Sequence, residues 1–222
     1  MTSEVHGTSI KNDAPLRQVS SDNLDKTLLP QWYHHLRPTW GEKIVVPEWE
    51  EDGDAYRSKN GWKGSDLIHD PNAAICIPEY FVQYGSQTDG LQRGGKGTTL
   101  KGLVYFSERA ESHRGYCHGG SMCSVMDDVI GWVGFMVTGK CLPWSGFTVQ
   151  INTSLQKPIP VHSTLMVVGE VKRMERRKIF IEARLVDPTD GSQHAMADGI
   201  VVLNRGVLPP ILETQVSDIS MG

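Results

Sequence analysis

His118, Gly119 and Gly120 stand directly ahead of a helical pattern, and an acid, Asp127, follows about two turns into it. Two glycines open backbone angles closed to other residues and let a ligand come close. The first N–H groups of a helix have no acceptor within it and carry partial positive charge. An amide in that position can receive a developing oxyanion. A carboxylate can take a proton from water or attack a carbonyl itself. Each feature alone is commonplace: many helices begin on glycine, and an isolated histidine is more often a structural hydrogen-bonder than a catalyst. Together they describe acyl transfer at a polarised carbonyl, with the Gly119 amide as donor and Asp127 as base or nucleophile.

Geometry adds a condition. Eight residues of helix, at ~1.5 Å each, separate Gly119 from Asp127 by ~12 Å. One carbonyl cannot be within hydrogen-bond range of both. If both act on one substrate, they come from two copies of the helix, antiparallel across a symmetric dimer. That implies two sites per dimer and an inactive monomer. At ~100° per residue, Met122, Val125, Met126, Val129, Ile130 and Val133 form one apolar stripe. Asp127 and Asp128 lie on opposite flanks of it at nearly equal angles, so periodicity does not choose between them. Gly120, Cys123, Ser124, Gly131 and Gly134 cluster on the Asp127 side. Glycine costs a helix ~1 kcal/mol against alanine, so this clustering marks close approach by something large and allows pairing with a second helix. Asp128 is expected to face water or an arginine.

The elements that must hold these residues follow from pattern. A β-rich segment covers 98–108, a helix runs from about 120 to 138, and strands are expected at 146–155, 163–174, 178–187 and 194–204. Along 147–155, Phe147, Val149, Ile151, Thr153 and Leu155 alternate with Thr148, Gln150, Asn152 and Ser154, as in a half-buried antiparallel strand. Strand, long helix and then consecutive strands imply an α+β fold with a meander. Residues 1–26 read as a mobile tail, 27–96 as an extension packed on the core, 97–207 as the main domain and 208–222 as a C-terminal tail. The extension holds Trp32, Trp40, Trp49 and Trp62, with short helices expected near 28–36 and 79–92. Gly94-Gly95-Lys96-Gly97 lacks the full spacing of a phosphate loop and reads as a turn before a strand.

Composition narrows the function. A net charge of -4 over 222 residues argues against a nucleic-acid surface. The basic run from Lys172 and Arg173 to Lys178 is either a solvated hairpin turn or a phosphate anchor. The four cysteines form no Cys-x-x-Cys pair, so no metal site is expected and the thiols are expected to be reduced. No apolar stretch approaches ~18 residues, and the N-terminus lacks a secretory or clear transit pattern. A cytoplasmic protein without a membrane span is the expectation.

The run His118-Gly119-Gly120-x6-Asp127, then Thr148, then Gln156-Lys157-Pro158-Ile159-Pro160, resembles the hotdog acyl-CoA thioesterases, and in particular the branch of mammalian thioesterase superfamily members four and five. The resemblance covers about residues 98–205. It implies a hotdog fold, an antiparallel sheet wrapped around the long helix, and subunits paired edge to edge as a homodimer or dimer of dimers. It implies that Asp127 is the catalytic carboxylate, that the Gly119 amide polarises the thioester carbonyl, that Thr148 helps position water, and that His118 lines the site or fixes the glycine turn. Gly120, Lys157 and Pro158 become candidates for substrate and CoA contact, with Lys172 and Arg173 behind them. No cofactor is implied beyond the CoA of the substrate. Two departures stand out: Ser121-Met122-Cys123 where small apolar residues are usual, and Asp128 where an uncharged residue is usual. Rival readings on the same scaffold are a non-catalytic acyl-CoA-binding or partner-binding protein and an enoyl-CoA hydratase.

Overall fold

The computed structural model describes residues 29–208, apart from 51–52, 65, 71–72, 87–90 and 92. The stretches read as tails, 1–26 and all of 208–222 except Leu208, lie outside those residues. The described chain contains α1 (Gln31–Leu36), β1 (Glu42–Lys43), α2 (Pro47–Glu50), α3 (Gly53–Lys59), β2 (Ile75–Cys76), β3 (Tyr80–Gln83), β4 (Thr99–Phe106), β5 (Glu111–His113), β6 (Tyr116–Cys117), α4 (Gly119–Met136), β7 (Gly146–Leu155), β8 (Ser163–Glu175), β9 (Lys178–Val186) and β10 (Gln193–Leu203).

One antiparallel sheet runs in the order β1-β3-β4-β8-β9-β10-β7, with β2 also on β4. It wraps around α4, whose stripe Met122, Val125, Met126, Val129, Ile130 and Val133 is buried against it. This is the hotdog arrangement. Glycines on the sheet let the helix settle: a Cβ at Gly199 would strike Ile130, and one at Gly169 would strike Val133 and Val129. Long consecutive strands with period-two patterning made β7 to β10 and α4 legible in the sequence, each to within a residue or two.

The fold departs from its reading in three ways, the first of them in the extension. Where a helix was expected near 79–92, Tyr80–Gln83 forms β3, a strand of the same sheet. Both of its faces are covered. Tyr80 and Val82 join the core around α4, while Phe81 packs with Tyr33, Trp40 and Leu103 on the opposite face under α1. A strand buried on both sides is a continuous apolar run, and periodicity cannot separate it from a helix. The small hairpin β5–β6, turning at Gly115 in the left-handed region, was not foreseen either. Gly94 and Gly95 have positive φ and lead into β4, as expected of a turn before a strand.

The strand β7 holds the third difference. Its register with β10 slips between Ile200 and Val201, leaving Val149 as the extra residue of a bulge. Below the bulge, Ile151 packs against the core and Leu155 lies against Gly119. Above it the faces exchange, so Thr148 turns to the helix while Phe147 and Val149 point outward, 70% and 60% exposed. The clean alternation in sequence therefore does not correspond to one face in space.

Candidate active site

The start of α4 is shaped by His118. Its backbone is extended (φ -63, ψ 135), and its ring Nδ1 accepts from the Gly120 N–H at 2.8 Å. An accepting Nδ1 places the ring proton on Nε2. The His118 carbonyl accepts from Ser121 N–H at 2.9 Å and from the Ser121 hydroxyl at 2.6 Å. Two of the first helical amides are thus occupied, and the Gly119 N–H has no acceptor among the described residues. His118 is itself tied to Ala110 O through its own N–H, at 2.7 Å. The hairpin β5–β6 and the segment 157–160 steady this turn from outside: Cys117 N–H donates to Ile159 O, and Tyr116 bridges to Pro160. Burial pushes the Cys117 thiol up to about 11 and the Cys76 thiol up to about 12, so neither is a ready nucleophile.

Asp127 is exposed on the flank of α4 that runs along β7. The small residues around it do not wait for a second helix. A Cβ on Gly131 would lie 3.7 Å from Thr148 Oγ1, one on Gly134 would meet Val201 at 2.7 Å, and one on Gly119 would meet Leu155 at 2.8 Å. The chain's own strands β7 and β10 are the large neighbours that approach there. Gly120, Cys123 and Asp127 remain exposed. The bulge in β7 brings the Thr148 hydroxyl to the helix one turn beyond Asp127, where strand alternation alone had assigned it to the opposite face.

Asp128 faces neither water nor an arginine. It is partly buried on the opposite flank, where Tyr80 Oη donates to its Oδ2 at 2.8 Å and His69 Nε2 stands 3.4 Å from the same oxygen. Both partners come from the extension. No local sequence signal links His69 to position 128, and only the fold brings them together.

The candidate phosphate contacts separate. Lys157 lies beside the mouth of α4, held by Ser192 Oγ at 2.9 Å and Asp190 Oδ2 at 3.5 Å. Pro158 is exposed next to it. Lys172 pairs with Glu170 and Glu182, and Arg173 pairs with Glu175 and stacks over Phe180. These two sit at the other end of α4, next to the Gly95–Val137 and Val171–Thr98 contacts. Within one subunit they are remote from Gly119.

Residues 114–193 match the family model of the thioesterase superfamily, a span from the β5–β6 turn to the start of β10. Over that span, somewhat more than a third of the chain, the sequence is similar to that superfamily. Among relatives, acyl-coenzyme A thioesterase THEM4 of Rattus norvegicus is 24% identical over 90 residues, covering 40% of this chain and 36% of that protein. An uncharacterized protein of Schizosaccharomyces pombe is 25% identical over 154 residues, covering 64% of this chain and 78% of its own. The match to the rat protein thus spans about a third of its length. Solved structures include zebrafish thioesterase superfamily member 2, at 16% identity over 68% of this chain and 94% of that one with a TM-score of 0.46. Another is smu.793 of Streptococcus mutans bound to acetyl CoA, at 17% identity over 55% and 88% with a TM-score of 0.43.

Proposed function

We propose that this protein hydrolyses acyl-CoA thioesters to a carboxylic acid and CoA, in a homodimer whose two sites each combine the Gly119 amide of one subunit with Asp127 of the other. The observation that carries this reading is the pairing of an unpartnered helix-start amide with an exposed carboxylate eight residues on, on a flank bordered by a free strand edge. β7 is ten residues long, bonded on one side only among the described residues, and presents Phe147, Val149 and Leu155 to solvent. Such an edge invites pairing with another strand. Two β7 edges related by a two-fold axis set the two α4 helices side by side and antiparallel. That supplies the reach that one helix lacks.

In this reading the thioester oxygen accepts from Gly119 N–H, where the dipole of the 18-residue α4 adds to the amide. Asp127 takes a proton from water as it attacks the carbonyl carbon. Collapse of the tetrahedral oxyanion breaks the C–S bond, and CoA leaves as a thiolate that takes up a proton. The Thr148 hydroxyl positions the water, His118 fixes the glycine turn with Gly120, and Lys157 with Pro158 borders the CoA entrance. The relatives named thioesterases support this chemistry.

Mixed dimers test it. One subunit carries Asp127→Ala and the other Gly119→Pro, which deletes the amide hydrogen and adds a ring to which the flexible end of Leu155 must give way. Each homodimer is expected to be inactive in a thiol-release assay, and co-assembled subunits are expected to regain one working site of two. Inactive mixed dimers would refute the shared site. Binding of acyl-CoA without thiol release would indicate a sensor, and water addition to enoyl-CoA a hydratase.

A further inference from the structure

Asp128 and its partners have no part in that chemistry, yet they form a built, buried cluster. His69 is 5% exposed, stacked on Trp49 with ring centroids 4.1 Å apart and met edge-on by Trp132. Its Nδ1 lies 2.8 Å from Ile77 O. A carbonyl only accepts, so Nδ1 carries a hydrogen. Nε2 then faces Asp128 Oδ2 at 3.4 Å and has no hydrogen-bond partner among the described residues. A singly protonated ring would set a lone pair against a carboxylate in a buried site, an uncompensated repulsion. A second proton turns the same contact into an ion pair.

The surrounding charges agree. From α4 the ring meets Asp128, and from β3 it meets Tyr80, whose hydroxyl is held protonated well above its ordinary range by burial and by Asp128. From α2 it meets the Trp49 indole. On its own segment, Asp66 accepts from the Ile68 and His69 N–H groups and pairs with Arg57, which also pairs with buried Glu48. Burial lowers the His69 pKa, but the charge of Asp128 beside Nε2, then Asp66 and the Ile77 carbonyl, outweigh it and leave it raised.

Resting on the thioesterase reading, we propose that His69, doubly protonated, and Asp128 are positioning residues for Asp127. They pin one flank of α4 to the extension and so fix the rotation that presents Asp127 to the partner's amide. Asp127 and Asp128 are consecutive on one helix, so ~100° of rotation separates them and neither can turn without the other. The linkage has a definite sign. A histidine with a raised pKa in the folded protein stabilises it fully below its unfolded value of 6.5, and that contribution is lost as pH rises through the folded value.

The test follows the imidazole nitrogens of the full chain by NMR across pH 5–9, with His69→Gln assigning the signals, beside kcat and KM. Both His69 nitrogens are expected to be protonated at pH 6, with the Nε2 proton lost above 6.5. In parallel, kcat should fall while KM holds. Asp128→Asn should lower kcat at pH 6 about 10- to 100-fold and remove that pH limb. Asp127→Ala should leave the His69 titration unchanged. A His69 ring that is singly protonated from pH 5 upward overturns the proposal. So does a folded Asp128→Asn with wild-type kcat and pH profile. A wild-type protein that releases no thiol would sink the hydrolase reading, and the nitrogen titration would still decide the charge state on which the proposal stands.

Discussion

Asp127 and Asp128 are adjacent in sequence and chemically identical, and the two flanks of α4 treat them oppositely. On the Asp127 flank the helix shows small residues, an exposed carboxylate and a free strand edge. On the Asp128 flank it meets Trp49, His69 and Tyr80, and the carboxylate is 15% exposed with two partners on one oxygen. An acid whose oxygen is held by a hydroxyl and an imidazolium is fixed in place. An acid in the open is available to a substrate or to a second subunit. The contrast teaches that the flank, not the side chain, assigns the role.

The largest effect should come from the open flank. Asp127→Ala is expected to lower thiol release by about 10²–10⁴-fold, with the unfolding free energy within about 0.5 kcal/mol of wild type because nothing buried is lost. Wild-type turnover in that variant would erase the contrast. Gly119→Pro should cost about 10²–10³-fold in kcat. Proline fits the first helical position, and the extended His118 suits a residue before proline. Circular dichroism should therefore be unchanged.

The closed flank is expected to answer in stability first. Tyr80→Phe removes the donor to Asp128 and should destabilise by about 1–3 kcal/mol in denaturant unfolding. Gly134→Ala, on the open flank but under Val201, should cost about 1–3 kcal/mol by overpacking. A neutral Gly134→Ala would mean that the strand gives way there. The smallest effect is at the mouth. Lys157→Ala should raise KM about 5- to 10-fold with kcat and stability unchanged, since its contacts with Ser192 and Asp190 are exposed.

Much of this was legible from residue order. β7 to β10 and α4 follow from strict periods, and the glycine turn before α4 follows from residue type. The extension was harder to read, because β3 is short and buried on both faces and its aromatics pair with residues far along the chain. The face of Thr148 was misassigned for a different reason. A single-residue bulge in β7 reverses every side chain beyond it, and a bulge has no signature in an alternating sequence. Lys172 and Arg173 stood behind Lys157 as candidate phosphate contacts, and only the wrap of the sheet set these two at the far end of α4.

Residue order by itself determined the hotdog elements, the amide and acid of α4, and the ~12 Å between them, because helix rise and strand alternation are local properties. Tertiary structure alone decided which acid is open and which is bound, since the two lie at equal angles from the apolar stripe and only packing against the extension breaks that tie. His69 reaches Asp128 across 59 residues of chain. No local rule spans that distance, and burial of the Trp49–His69–Trp132 stack is what closes it.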